Sequence, residues 1–175
     1  TDARVLSTAV SKEIGKNIGG LQKYAPLAQY AQLIMQQGAY KGVAKSKYVN
    51  DKQITDHYAI IPTGQGLGTL RSLTQLSASI YMVIVRRFLS IFYPPAVYQK
   101  INLETLVLTE HFFTSTKVLL EEGYQKVANA GLEKKEEGNP HLAEVLSAVR
   151  KGKQLPVREF HIKEGTTTPP KRYNS

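Results

Sequence analysis

The sequence predicts an α+β fold, helical in its first half and β-rich in its second. Up to residue 92 apolar side chains recur at helical spacing, beyond residue 100 they alternate at period two, and Pro94-Pro95 stands where the pattern changes. Proline lacks an N–H and fixes its own φ, so a pair of prolines ends a helix.

The first helix is expected over residues 7–18, with Val10, Ile14 and Ile18 on one face, Ser7 as cap and Gly19-Gly20 as the stop. A second runs from Pro26 through Leu27, Tyr30, Ala31 and Ile34 to Gly38, since proline suits a first turn and glycine a C-terminal cap. Residues 40–56 are polar, lysine-bearing and non-periodic, and residues 62–68 are glycine-rich. Both flanks of residues 57–61 therefore read as loop. The strongest helix is expected over residues 74–92, capped by Thr74, with Leu76, Ile80, Val83, Ile84 and Phe88 on its apolar side. After the prolines, Ile101, Leu103, Thr105 and Val107 alternate, and residues 113–120 form a second β-rich run ending at Gly123, which together read as paired strands. Residues 132–138 read as a charged surface loop, 141–150 as a short helix, 157–162 as a last strand, and 165–170 as a turn or linker. No internal repeat is visible.

With 42% hydrophobic residues the 175-residue chain can fill a real core. The absence of cysteine excludes a disulfide framework and a thiolate zinc site, and four separated histidines point to no structural metal. No apolar run approaches the roughly 18 to 20 residues that cross a bilayer, and the first residues lack a signal-peptide profile. The expectation is a soluble, cytoplasmic protein with no membrane partner. A net charge of +9 points to a polyanionic partner, although a basic surface also serves solubility. The charge is uneven: residues 1–90 hold 11 Lys and Arg against 4 Asp and Glu, and residues 91–175 hold 12 against 10. Phosphates of a bound nucleic acid are expected against the first half.

No self-sufficient catalytic set is present: there is no Gly-x-x-x-x-Gly-Lys phosphate loop, no His-Glu-x-x-His pair, no Gly-x-Ser-x-Gly elbow and no cysteine nucleophile. Gly64, Gly66 and Gly68 follow Pro62 rather than a strand and lack the lysine, so they read as a turn. Glu121-Glu122 and Glu136-Glu137 are adjacent rather than spaced across a substrate.

Three motifs stand out: Thr1-Asp2-Ala3-Arg4-Val5-Leu6-Ser7, Asp56-His57-Tyr58-Ala59-Ile60-Ile61-Pro62-Thr63, and Thr167-Thr168-Pro169-Pro170-Lys171-Arg172-Tyr173. Their order and spacing resemble type IA DNA topoisomerases, in which a Tyr-x-Arg-Thr-Asp-Ser segment carries the nucleophile, a His-x-Ala-Ile-x-Pro segment follows, and a Pro-Pro-x-Arg-Tyr or Pro-Pro-x-Arg-Phe segment comes later. The stretch Arg86-Arg87-Phe88-Leu89-Ser90-Ile91-Phe92-Tyr93-Pro94-Pro95-Ala96 is similar to the topoisomerase III branch, as is Gly123-Tyr124-Gln125-Lys126-Val127. The resemblance covers essentially the whole chain.

The resemblance implies an isomerase whose tyrosine attacks a phosphodiester in single-stranded DNA, holds the broken end covalently, passes a strand and reseals. The family nucleophile would lie three positions before Thr1, and the chain is expected to be a fragment, inactive alone, that serves as DNA gate and hinge beside the rest of its parent. Magnesium is implied only for the parent's separate Toprim domain, with no cofactor in this chain. Residues 1–90 are implied to be most of the tyrosine-bearing domain, a helical unit of winged-helix type. Residues 91–166 would be the returning half of a β-rich arch, and residues 167–175 the start of the next domain. Strand edges of the half-arch are expected to be unpaired or to pair between molecules. A free-standing basic DNA-binding or interaction module without catalysis is the alternative.

Read from the residues alone, His57 is a hydrogen-bonded loop histidine; the resemblance gives it the role of stabilising charge on the phosphoryl oxygens, which a ring able to donate and titrate near neutrality can perform. Asp2 and Arg4 either order the turn that aims the nucleophile, with Arg4 meeting phosphate, or serve as helix-cap and surface charges. Lys171 and Arg172 are either phosphate contacts of the next domain or solvated linker charges. His111, His141 and His161 match no functional motif.

Overall fold

A computed structural model describes residues 3–132 and 140–169 of the chain, the side chains of 140–143 excepted. It has the expected α+β character: a helical body from which one long β-hairpin projects.

The caps act as their residue types dictate. Helix α1 (Thr8–Leu21) begins where the Ser7 hydroxyl accepts from the Val10 N–H at 3.1 Å. Helix α2 (Ala28–Gln37) ends at Gly38, whose φ of 65° is the left-handed conformation a helix-ending glycine supplies without a Cβ clash. Helix α3 (Gln75–Ser90) begins under Thr74, whose hydroxyl accepts from the Ser77 N–H at 3.2 Å. The segment between α2 and α3 holds three 3₁₀ turns, Ala39–Lys45, Asp51–Gln53 and Leu67–Ser72, where a plain loop was expected.

Two expectations for the helices are corrected. Helix α1 does not stop at Gly19-Gly20 but runs through both to Leu21. Space decides this: a Cβ on Gly20 would lie 2.1 Å from the Gly64 carbonyl oxygen, so Gly20 is the residue that lets the later loop press on the helix. The expected apolar face of α3 is also displaced. Leu76, Ile80 and Val83 are exposed, whereas Val85, Phe88 and Leu89 are buried. Helix α3 meets the body from Tyr81 and Met82 onward, on a face offset from the expected one, so Leu76, Ile80 and Val83 find no surface to bury against among the described residues.

The core joins Leu6, Ile14, Ile18, Leu21, Leu27, Ala31, Ile34, Val43, Val85, Phe88, Leu89 and Val127. Val127 comes from the short helix α4 (Gln125–Ala128), which follows the hairpin and folds back onto α3. Strands β1 (Val97–Val107) and β2 (Glu110–Glu121) pair antiparallel, in register from Tyr98↔Leu119 to Val107↔Glu110. The tip turn holds Leu108 at φ 55°. At the hairpin's base the Tyr124 N–H donates to the Pro94 carbonyl at 2.8 Å, and a Cβ on Gly123 (φ 49°) would meet the Pro94 and Pro95 carbonyl oxygens at 2.5 Å. The outgoing and returning strands are thus clamped against the prolines that end the helical body.

Helix α5 (Pro140–Ala148) lies against the hairpin. The expected last strand at residues 157–162 carries no ladder among the described residues. A strand needs a partner backbone, and this stretch meets the hairpin through a ring contact instead, Phe160 on Phe112 with centroids 6.3 Å apart. The expected charged loop at 132–138 lies, beyond Leu132, outside the described residues.

Candidate nucleic-acid interface

The residue types of the first two motifs imply different backbones, a segment leading into a helix and an irregular loop, and the fold lays them side by side. The Leu6 N–H donates to the Tyr48 carbonyl at 2.8 Å and the Leu6 carbonyl accepts from the Asn50 N–H at 3.1 Å, forming a parallel bridge of Leu6 with Val49. One residue earlier the Val5 carbonyl accepts from the Ala59 N–H at 2.8 Å. The opening segment is therefore held by residues 48–50 and by residue 59. Val5 and Leu6 are buried at 8% and 3% exposure, which anchors the segment in the core.

That Val5–Ala59 hydrogen bond brings the candidate residues together. Arg4 lies one residue from it on one strand and His57 two residues from it on the other, and both side chains are exposed. Among the described residues the His57 ring has no hydrogen-bond partner, so the reading of a hydrogen-bonded loop histidine does not describe it. Along the loop Ala59 and Ile61 pack against the core while Tyr58 and Ile60 face solvent, so the loop is fixed by alternate side chains and presents the others. Asp2, Lys171 and Arg172 lie outside the described residues.

Two positioning residues carry no motif signal. Asn17, on α1, donates its side-chain N–H to the Pro62 carbonyl at 2.9 Å and holds the end of the loop. Asp51 accepts from the Thr8 N–H at 2.8 Å and from the Thr8 hydroxyl at 2.6 Å. A carboxylate at a helix N-terminus is favourably placed against the helix dipole. The Thr8 hydroxyl, and after it the Thr8 N–H, hold the Asp51 carboxyl below its ordinary pKa of 3.8. Partners 43 and 45 residues apart leave nothing for a local pattern to find.

The surroundings are basic. Lys41, Lys45, Lys47 and Lys52 are exposed on the segment that bridges the opening residues, with Lys47 5.5 Å from the centroid of the Tyr48 ring. Asp51, the acid within that stretch, is engaged by Thr8. Exposed lysines on the segment that holds the opening residues, with an unpartnered imidazole on the loop those residues also bind and the exposed Asp56 beside it, form a mixed but mainly basic surface suited to phosphate. Among the described residues no group of three or more His, Asp or Glu side chains is arranged to hold a metal ion, and no helix is long and apolar enough to cross a membrane.

A family model described as DNA topoisomerase matches residues 1–175. The chain is 32% identical over 176 residues to DNA topoisomerase 3 of Bacillus subtilis, which it covers for 23% of that protein's length and 99% of its own. It is 30% identical over 174 residues to DNA topoisomerase 3 of Bacillus licheniformis and 28% over 176 to that of Bacillus anthracis, with the same coverage. The chain thus spans about a quarter of the length of these relatives.

Proposed function

The chain belongs to the DNA topoisomerase family, with the type IA, topoisomerase III-like character its motifs imply, and on that premise we propose that it supplies part of the gate through which the whole enzyme changes DNA topology. The reading is carried by the Val5–Ala59 hydrogen bond, which joins the segment that would follow the nucleophilic tyrosine to the loop bearing His57. In this reading the tyrosine, three positions before Thr1, attacks a single-strand phosphodiester. His57 donates to the phosphoryl oxygens as negative charge develops there, and Arg4 meets the adjacent phosphate. Asp2 orders the turn that aims the nucleophile, and Lys171 and Arg172 contact the strand at the entry of the following domain. Magnesium is proposed to act in a Toprim domain of the parent, as the motifs imply; among the described residues no group of three or more His, Asp or Glu side chains could hold it.

In the same reading residues 1–90 form the gate domain, of winged-helix type. Residues 91–166 form the returning half of the arch, whose work is mechanical, and residues 167–175 begin the next domain. The clamp at Pro94 and Gly123 supports a hinge there, because it roots both strands of the hairpin on the helical body. Single-stranded DNA and the rest of the parent are the proposed partners, in the cytoplasm. In the separated chain the outer edges of β1 and β2, which pair only with each other among the described residues, are proposed to associate between copies. The 175-residue chain alone is proposed to neither relax supercoiled plasmid nor become covalently attached to DNA.

The test is a set of His57 variants in a complete topoisomerase carrying this segment. His57→Ala should reduce single-turnover cleavage by about ten- to a thousandfold, the scale of losing one oxyanion donor. Its thermal unfolding should be unchanged, because the ring is exposed and unpartnered. His57→Gln should recover part of the rate if hydrogen-bond donation matters, and His57→Arg if charge matters. Cleavage at the wild-type rate by well-folded His57→Ala would end the assignment.

A further inference from the structure

Between the end of α1 and the glycine-rich segment that follows Pro62 lies an open groove of about 1100 Å³. Its walls are chemically divided. Lys23 enters the lining from the end of α1 and Arg71 from the segment after the glycines, and Tyr24, Pro26, Leu67 and Leu70 add apolar surface. No Asp or Glu lines it, and among the described residues neither Lys23 nor Arg71 has a carboxylate partner. A third cation lies near Tyr24: burial raises the Tyr24 phenol pKa and Arg86 partly offsets that rise, and the Arg86 Nε is buried without a hydrogen-bond partner among the described residues.

The floor of the groove is fixed. Gly64 (φ 72°) sits against α1 so closely that a Cβ there would lie 2.4 Å from the Asn17 carbonyl oxygen, and Gly66 (φ 65°) turns the chain toward Arg71. A concave site lined by two cations and no acid carries positive potential and favours an anion. A bare anion makes no use of the apolar wall. A nucleotide unit does, because its base and sugar offer planar and apolar faces beside the phosphate.

We propose that this groove binds a nucleotide unit of a single nucleic-acid strand, with Lys23 and Arg71 on neighbouring phosphates and the wall of Tyr24, Pro26, Leu67 and Leu70 against base and sugar. The groove begins where the His57 loop ends, its Gly64 lying two residues beyond the Pro62 that Asn17 holds against α1. The choice of a nucleic-acid strand rests on the reading of the chain as a DNA gate.

The test compares the full chain with Lys23→Ala/Arg71→Ala and with Lys151→Ala/Lys153→Ala, which removes equal charge from exposed positions outside the groove. Binding of fluorescent oligothymidylate is followed by anisotropy across a salt series, with thermal unfolding as the folding control. The groove pair should lose about tenfold in affinity and about 1.4 in the slope of log affinity against log salt, as for two single-strand phosphate contacts. The control pair should lose less than about twofold. Equal losses in both pairs would mean diffuse charge and overturn the proposal, and an unaffected groove pair would overturn it while leaving the DNA-gate reading intact. An abasic oligomer of equal phosphate count that binds as well as oligothymidylate would overturn the role of the apolar wall. Polyglutamate bound through Lys23 and Arg71 by a protein that ignores oligothymidylate would make the ligand an acidic peptide, and both readings would fall together.

Discussion

Gly20→Ala sets two physical effects against each other. Gly20 lies inside α1, where alanine is favoured over glycine by about 1 kcal/mol, so local propensity predicts a more stable protein. The tertiary structure predicts the opposite. The new methyl carbon would sit 2.1 Å from the Gly64 carbonyl oxygen, 2.7 Å from its carbon and 2.8 Å from its α-carbon. Carbon and oxygen come no closer than roughly 3.3 Å in even a favourable contact, so the loop must retreat by about 1 Å. Retreat strains the Asn17–Pro62 hydrogen bond at 2.9 Å, which contributes about 0.5–1.5 kcal/mol. It also opens the packing around Ile61, within the usual overpacking range of about 1–3 kcal/mol. Set against the propensity gain, the net loss is about 0.5–3.5 kcal/mol, a fall in Tm of roughly 2–4 °C for each kcal/mol in a chain of this size. Gly19→Ala is the internal control, since nothing lies within 4 Å of its new Cβ, and it should gain up to about 1 kcal/mol. Urea unfolding followed by circular dichroism measures both. A Gly20→Ala protein as stable as Gly19→Ala would refute the close approach of loop and helix, and with it the fixed floor of the groove.

Asp51→Asn should lower the melting temperature and flatten its acid dependence. The folded-state pKa of Asp51 is depressed by Thr8, so its contribution is present above pH 3.8 and is lost as pH falls through the lower folded value; the difference between wild type and variant from pH 5 to 2.5 isolates it. Tyr93 works at the other end of the scale. Burial, and after it Tyr30, push its phenol up to about 12, so stability that is full below pH 10 should decline as pH rises from 10 to about 12. Tyr93→Phe should reduce that decline and remove one late-titrating phenol from the absorbance change at 295 nm.

Much of the architecture was legible because its causes are local. Ser7, Thr74 and Gly38 act through their own side chain or φ, and period-two alternation announced β1 as a β-rich run announced β2, so a few neighbouring residues fix each feature. The three motifs likewise carried the family, because a motif survives in the order of residues whatever the packing. Local rules stopped where a distant neighbour decided. Gly19-Gly20 looked like a helix stop, yet the helix runs through both and Gly20 is set against a loop some 44 residues later in the chain. Leu76, Ile80 and Val83 have the period of a core face but no described surface to bury against, and residues 157–162 have the composition of a strand but no partner ladder. Only the tertiary structure places Arg4 and His57 on either side of one backbone hydrogen bond, and only it brings Lys23 and Arg71 into the lining of one groove. Charge, volume and periodicity are properties of residues and can be read in order. Adjacency between segments is a property of the packed core, where Leu6, Ile14, Ile18 and Val43 must share one interior before the loops they carry can meet.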